Sequence, residues 1–105
     1  MALTINPNHS GVLHGLGIWY AEASNFYPVW SKDAHDYLNK ALKSDQNNSM
    51  IYVTLARLYI REKRFAEARK LLQKCLGLNN PTVPAEYYNY SKPESQKLLK
   101  QIEGK

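Results

Sequence analysis

The stretches AHDYLNKAL at residues 34–42 and ARKLLQKCL at residues 68–76 decide the fold, because the second repeats the first. Alanine, leucine, lysine, a small residue and a final leucine recur at matching places, with an offset of 34 residues. Two further stretches, LGIWY at 16–20 and LARLY at 55–59, share leucine, a small residue and tyrosine with an offset of 39. Each copy is therefore predicted to be a pair of helices, with five extra residues between the helices of the first copy.

The repeated residue types indicate how such helix pairs pack. A helix pair must bury one face, and small residues occur where two helix axes approach closely. We expect close approach at Gly17, Ala34, Ala41, Ala56, Ala68 and Cys75. Leu16, Tyr20, Leu55 and Tyr59 are expected to fill the space between the helices.

This 34-residue period resembles that of the tetratricopeptide repeat (TPR) family, and residues 49–82 match one full repeat without a gap. The resemblance implies an all-α fold of TPR-type helix-turn-helix pairs, in a short right-handed solenoid with a C-terminal closing helix. The expected organisation is a single TPR domain over 1–105. It comprises a stub of a preceding repeat at 1–9, repeat one at 10–48, repeat two at 49–82, and a linker and closing helix at 83–105.

The boundaries of the helices follow from apolar spacing and capping residues. Helices are predicted over about 10–26, 31–43, 49–63 and 65–78, followed by a mostly extended stretch over 79–90. Ser91 and Glu94 have the spacing of a capping box that opens the closing helix. Leu98, Leu99 and Ile102 form the apolar stripe expected to lie across the fourth helix.

The N-terminal stretch ALTINPN at residues 2–8 resembles the tail of a repeat. We therefore expect the chain to be the C-terminal part of a longer repeat protein. Its N-terminal edge would then contact a missing segment, another subunit or a second copy of the chain, because a solenoid cut at a repeat junction exposes apolar surface.

Charge and composition limit the choice of function. The net charge of +5 is uneven, with −1 over residues 1–45 and +6 over the remainder, so an acidic partner, a nucleic acid or a membrane surface could meet the basic half. The basic residues are scattered among glutamates, which makes nucleic acid the weaker alternative. No apolar run is long enough to span a bilayer. The compartment stays open: cytoplasmic if the chain is complete, periplasmic or membrane-anchored if an N-terminal segment precedes it.

Nothing in the sequence resembles an enzyme. There is no glycine-rich phosphate loop and no nucleophile elbow, and the three histidines lack the spacing of metal ligands. Cys75, the single cysteine, falls at a small buried position of the repeat, where a reactive thiol is not expected. We therefore predict no catalytic residue, no metal and no cofactor.

Two surfaces are candidates for binding a protein or peptide. The first helix of each TPR pair lines the inner face, which here predicts a partner-binding set of His14, Ile18, Glu22, Met50, Val53, Arg57, Ile60 and Arg61. Arg57 and Arg61 lie four residues apart and could grip a carboxylate, or could instead pair with Glu22 or Glu62. The second surface is an insertion lip of Phe26, Tyr27, Val29 and Trp30, which either binds a partner or packs over the helix pair.

The preferred function is a non-catalytic protein–protein interaction scaffold. Two alternatives remain, namely a nucleic-acid-binding helical repeat and a ligand-binding TPR component associated with a transporter. The long first helix, the aromatic insertion and the closing QKLL at 96–99 resemble the TPR proteins related to the regulators of microtubule dynamics. They are also similar to the T component associated with bacterial TRAP transporters, which would imply a periplasmic lipoprotein.

Overall fold

The helices follow the repeat pattern closely. A computed structural model describes residues 10–105, and the described part of the chain is all-α, with no strand. Its elements are α1 (Ser10–Ala23), a 3₁₀ turn (Pro28–Trp30), α2 (Ser31–Ser44), α3 (Ser49–Arg61), α4 (Phe65–Leu76), α5 (Pro84–Glu86), a π-helical segment (Tyr87–Ser91) and α6 (Lys92–Gln101). The predicted stub at 1–9 lies outside the described residues. Within residues 10–105, no helix is both long enough and apolar enough to cross a bilayer.

The chain divides into two compact units, one ending at Gln46 and the other covering Asn47–Lys105. In the first unit, α1 packs against α2. Gly17 lies so close to α2 that a Cβ atom built on it would sit 2.5 Å from Leu38 Cγ and Cδ2. Ala34, Leu38 and Ala41 are completely buried, so the predicted close approach of small residues is confirmed. The prediction for Leu16 is wrong, because this side chain is 39% exposed rather than packed between the helices.

In the second unit, α3 packs against α4 through side chains that the repeat pattern also identified. Leu55, Ala56, Ala68, Leu72 and Cys75 are all buried. Asn48 and Ser49 both precede the apolar run and are candidate caps for α3. Asn48 is the cap, because it accepts a hydrogen bond from the Met50 amide at 3.1 Å, whereas Ser49 is the first residue of the helix.

The turn between α3 and α4 ends α3 earlier than predicted. Lys63 has a φ of 62°, in the left-handed region. The Lys63 amide donates to Ile60 O at 2.9 Å and the Arg64 amide donates to Tyr59 O at 2.8 Å. These two bonds are the Schellman pattern that closes a helix C-terminus. The Arg64 guanidinium lies 4.7 Å from the Tyr59 ring centroid, which adds the side-chain contact that often accompanies this motif.

The segment between the second repeat and the closing helix differs most from expectation. We predicted an extended stretch over 79–90, but the chain is helical from Pro84 onward. Val83 is extended, the conformation that a following proline favours, and Pro84 then opens the helical turn because its φ is already suited to a helix N-terminus. Tyr87 is buried and donates its hydroxyl to Leu76 O at 3.0 Å, which ties the π-helical segment to the end of α4.

The predicted capping box at Ser91 is also wrong. Ser91 has helical backbone angles inside a continuous helical stretch, so it has no helix start to cap. Its side chain is completely buried and accepts a hydrogen bond from Ser49 Oγ at 2.7 Å. The apolar stripe of α6 does lie against α4, with Leu98 and Ile102 buried, and this prediction is confirmed.

Candidate functional site

The insertion lip has a defined backbone, although it lies between two helices. The Phe26 and Tyr27 amides both donate to Ala23 O at 3.0 Å, which turns the chain away from α1. Tyr27 precedes Pro28 and has non-helical backbone angles, with φ −129° and ψ 87°. Pro28 begins the 3₁₀ turn, in which the Trp30 amide donates to Tyr27 O at 3.0 Å. The backbone amides of the lip therefore form hydrogen bonds within the segment, and its side chains project outward.

The side chains of the lip are strongly exposed. Phe26 is 82% exposed, Val29 is 76% exposed and Tyr27 is 60% exposed. Trp30 is half-buried. The exposure of these side chains favours a projecting lip over a segment that packs flat across the helix pair.

The aromatic rings of the first unit form a connected cluster. Trp30 contacts Tyr27 at a centroid distance of 5.0 Å, Trp19 at 5.6 Å and Tyr20 at 6.1 Å. Tyr20 in turn stacks on Tyr37 of α2 at 5.3 Å and 11°. We call the cluster of Trp19, Tyr20, Tyr27, Trp30 and Tyr37, together with the exposed Phe26 and Val29, the aromatic patch. It joins the C-terminal half of α1, the lip and the first half of α2.

Trp19 was not among the predicted site residues, yet it is 57% exposed and belongs to this patch. A signal for it was present in the sequence. Four of the five residues at 16–20 have large apolar or aromatic side chains. Consecutive residues of a helix point in different directions, so these side chains cannot all pack against one neighbouring helix. Leu16 and Ile18, at 39% and 41% exposure, are exposed for the same reason.

The predicted partner-binding residues of α1 differ in environment. His14 is partly buried, and burial lowers the pKa of its imidazole, which favours the neutral form of the ring. Ile18 and Glu22 are exposed and lie four residues apart, which places them on the same face of the helix. The α1 face therefore offers an apolar side chain and a carboxylate side by side.

The predicted residues of α3 also separate into buried and exposed sets. Val53 is 1% exposed, so its side chain cannot contact a partner, and its prediction as a partner-binding residue is wrong. Met50 and Ile60 are half-buried, whereas Arg57 and Arg61 are exposed. Val53 is buried because α3 buries most of its circumference, as seven of its thirteen residues show.

Arg57 already has a partner, though neither of the two that the sequence suggested. Its Nη2 donates to Glu94 Oε1 of α6 at 2.6 Å, and its guanidinium lies 5.8 Å from the Tyr90 ring centroid. Partial burial acts to lower the pKa of Arg57, but the hydrogen bond and charge of Glu94, together with Tyr90, outweigh it and raise the pKa. Arg57 therefore links the closing segment to α3, and Glu94 already occupies part of the donor set that an external carboxylate would use.

The buried thiol of the second unit is not arranged as a reactive group. Cys75 is completely buried, and its Sγ lies 3.7 Å from Ser49 O as a weak donor. Burial raises the pKa of the thiol, which disfavours the nucleophilic thiolate.

Comparison with known proteins agrees with the helix pairs described above. A family model for the tetratricopeptide repeat matches residues 32–85, which is about half of the chain. Searches of curated proteins and of solved structures returned no match. TPR domains in general bind other proteins and are generally non-catalytic. Since the matched segment contains α2, α3 and α4 in the order and spacing of the repeat, the chain belongs to the tetratricopeptide repeat family.

Proposed function

We propose that this protein is a non-catalytic interaction module that holds a protein or peptide partner. The observation that supports it most directly is the exposure of large apolar side chains in the first unit. Trp19, Phe26, Tyr27 and Val29 are each more than half exposed. Trp19 and Tyr27 both contact Trp30, and Phe26 and Val29 belong to the same lip as Tyr27 and Trp30. Such patches are uncommon on proteins that act alone and are typical of interaction surfaces.

The experiment that tests this proposal compares two doubly substituted variants in affinity capture followed by mass spectrometry. The first variant, Phe26→Ser with Val29→Ser, removes two strongly exposed apolar side chains from the lip. The second, Val83→Ser with Tyr88→Ser, removes two exposed apolar side chains from the other unit and serves as the matched control. We expect a partner that is captured by the unaltered protein and the control, and lost from the lip variant.

Circular dichroism of both variants checks that the helices are retained, as expected for exposed side chains. Equal capture by all three proteins, with folding intact, would contradict a role of the lip in partner binding. Capture of no partner by the unaltered protein would contradict the proposed function itself.

The exposed residues of α3 provide a second test. Arg61→Ala removes an exposed guanidinium, whereas a change at Arg57 would also break the contact with Glu94. If α3 takes part in partner binding, Arg61→Ala weakens capture while leaving the thermal midpoint nearly unchanged. Unchanged capture would restrict the interaction to other surfaces.

A further inference from the structure

The charges around the aromatic patch point to the chemistry of its partner. Between Trp19 and Lys40 the chain carries three carboxylates and two lysines, Lys32 and Lys40, which gives a net charge of −1. Lys40 belongs to this surface, because its Nζ lies 5.8 Å from the Tyr37 ring centroid. The carboxylates are those of Glu22, Asp33 and Asp36. The whole protein carries a net charge of +5, so the chain around the aromatic patch is acidic although the protein is basic.

The helices place these carboxylates beside the rings. Glu22 lies one turn beyond Trp19 on α1, and Asp33 lies one turn before Tyr37 on α2. Glu22 and Asp36 are exposed, and Asp33 is half-buried. The same surface therefore combines exposed aromatic faces with carboxylates at its edges.

Helix stability accounts for only part of this charge pattern. Asp33 is in the first turn of α2, where a negative charge is favourable to the helix dipole. Glu22, however, is in the last turn of α1, where a negative charge is unfavourable and no basic residue offsets it. Asp36 has Lys32 one turn before it and Lys40 one turn after it on α2, the spacing at which opposite charges stabilise a helix. Glu22 is therefore the carboxylate whose position its own helix does not explain.

Exposed Trp, Tyr and Phe side chains are also found on surfaces that bind membranes, and here the charge decides between the two. The exposed carboxylates of Glu22 and Asp36 disfavour anionic lipid headgroups and nucleic-acid phosphates at this surface. Arginine and lysine side chains, by contrast, are attracted by the carboxylates and also interact favourably with the faces of Trp and Tyr rings.

We infer that the aromatic patch binds a cationic peptide segment in which arginine or lysine alternates with apolar side chains. The inference rests on the proposed function and names the partner class for the lip. The apolar side chains of the segment pack on Phe26, Val29 and the rings, and its basic side chains lie over Trp19 and against Glu22 and Asp36.

The test uses a synthetic peptide of alternating arginine and leucine with one central proline, titrated against the whole chain. Both tryptophans of the protein belong to the patch, so their fluorescence reports on its occupancy. A second peptide with glutamate in place of arginine tests the charge, and a third with serine in place of leucine tests the apolar contribution. Vesicles of phosphatidylcholine and phosphatidylserine test a membrane surface.

We expect saturable binding of the first peptide. The glutamate peptide and the serine peptide should each bind about tenfold more weakly or worse, because the former loses the charge and cation–π contacts and the latter loses the apolar contacts. Binding should weaken by about three- to tenfold when Glu22→Gln is combined with Asp36→Asn. The control, Glu103→Gln, removes an exposed carboxylate outside the patch and should change the affinity by less than about twofold. Phe26→Ser with Val29→Ser should weaken binding without loss of helix content.

Several outcomes would overturn the inference. Equal binding of the glutamate peptide would remove the role of charge, and binding of vesicles but of no peptide would assign the patch to a membrane. Dimerisation of the protein that the lip variant abolishes would assign it to a second copy instead. None of these outcomes decides the proposed function, because partner capture from cells is measured independently of these probes.

Discussion

Gly17→Ala is the substitution whose effect can be worked out most fully from the structure. The added Cβ atom would lie 2.5 Å from Leu38 Cγ and Cδ2, and 3.3 Å from the Leu38 amide nitrogen. Leu38 is completely buried, so it cannot move aside without disturbing its neighbours. Gly15 lies on the same helix with nothing within 4 Å of the position of its Cβ, which makes Gly15→Ala the matched control.

Two opposing terms determine the magnitude. Replacing glycine by alanine inside a helix stabilises by about 1 kcal/mol through backbone entropy and helix propensity. Overpacking a close contact costs about 1–3 kcal/mol. Gly15→Ala should therefore raise the free energy of unfolding by about 1 kcal/mol, and Gly17→Ala should change it by between about 0 and −2 kcal/mol. The propensity gain cancels between the two, so they should differ by about 1–3 kcal/mol.

Equilibrium unfolding in urea, followed by tryptophan fluorescence, measures this difference. Both tryptophans, Trp19 and Trp30, belong to the first unit, so the signal reports on the helix pair that contains Gly17. In a Leu38→Ala background the space around residue 17 opens, and Gly17→Ala should then lose its penalty and behave like Gly15→Ala. Equal stabilisation by both glycine substitutions in the unaltered background would refute the close approach of α1 and α2.

The remaining predictions concern the second unit. Lys63→Gly should raise the free energy of unfolding by up to about 1 kcal/mol, because glycine adopts the left-handed conformation of residue 63 without strain. The control, Lys100→Gly within α6, should lower the free energy of unfolding by a similar amount. A thermal midpoint lower for Lys63→Gly than for Lys100→Gly would contradict this prediction. A double-mutant cycle on Arg57 and Glu94 should give a coupling of about 0.2–1 kcal/mol that weakens with salt, since the arginine side chain is 49% exposed; a coupling insensitive to salt would be inconsistent with a solvated ion pair. Because burial raises the pKa of Cys75, the thiol of the unfolded chain loses its proton at a lower pH than the thiol of the folded chain. The free energy of unfolding, measured by denaturant titration, should therefore fall as the pH rises above about 9, and it should fall less steeply in Cys75→Ala. The same dependence of the free energy of unfolding on pH in both proteins would count against the raised pKa.

The predictions that succeeded from sequence are those set by local pattern. The 34-residue repeat predicted which residues pack inside each helix pair, because small residues at Ala34, Ala41, Ala68 and Cys75 allow close approach wherever the pattern occurs. Asn48 was a predictable cap because a short polar acceptor before an apolar run can satisfy the first amides of a helix.

Some of the failed predictions concern residues that a distant part of the chain engages. Ser91 and Glu94 have the spacing of a capping box, but Ser49 and Arg57, more than thirty residues away in sequence, engage them instead. Pro81 and Pro84 favoured an extended segment over 79–90, yet the chain is helical from Pro84 onward, where Tyr87 is buried and bonded to Leu76 O. Such long-range contacts leave no mark on local spacing.

For the aromatic patch, the sequence by itself determined that an apolar insertion follows the first helix and that a proline fixes its turn. Only the tertiary structure decided that Trp19 joins Trp30 across that turn, that Tyr37 of α2 completes the cluster through Tyr20, and that Phe26 and Val29 remain in solvent. The reason is that helical periodicity identifies which residues share a face, whereas exposure depends on whether another element covers that face. Here the packing of α1 on α2 buries Gly17 and leaves its neighbours, Ile18 and Trp19, uncovered.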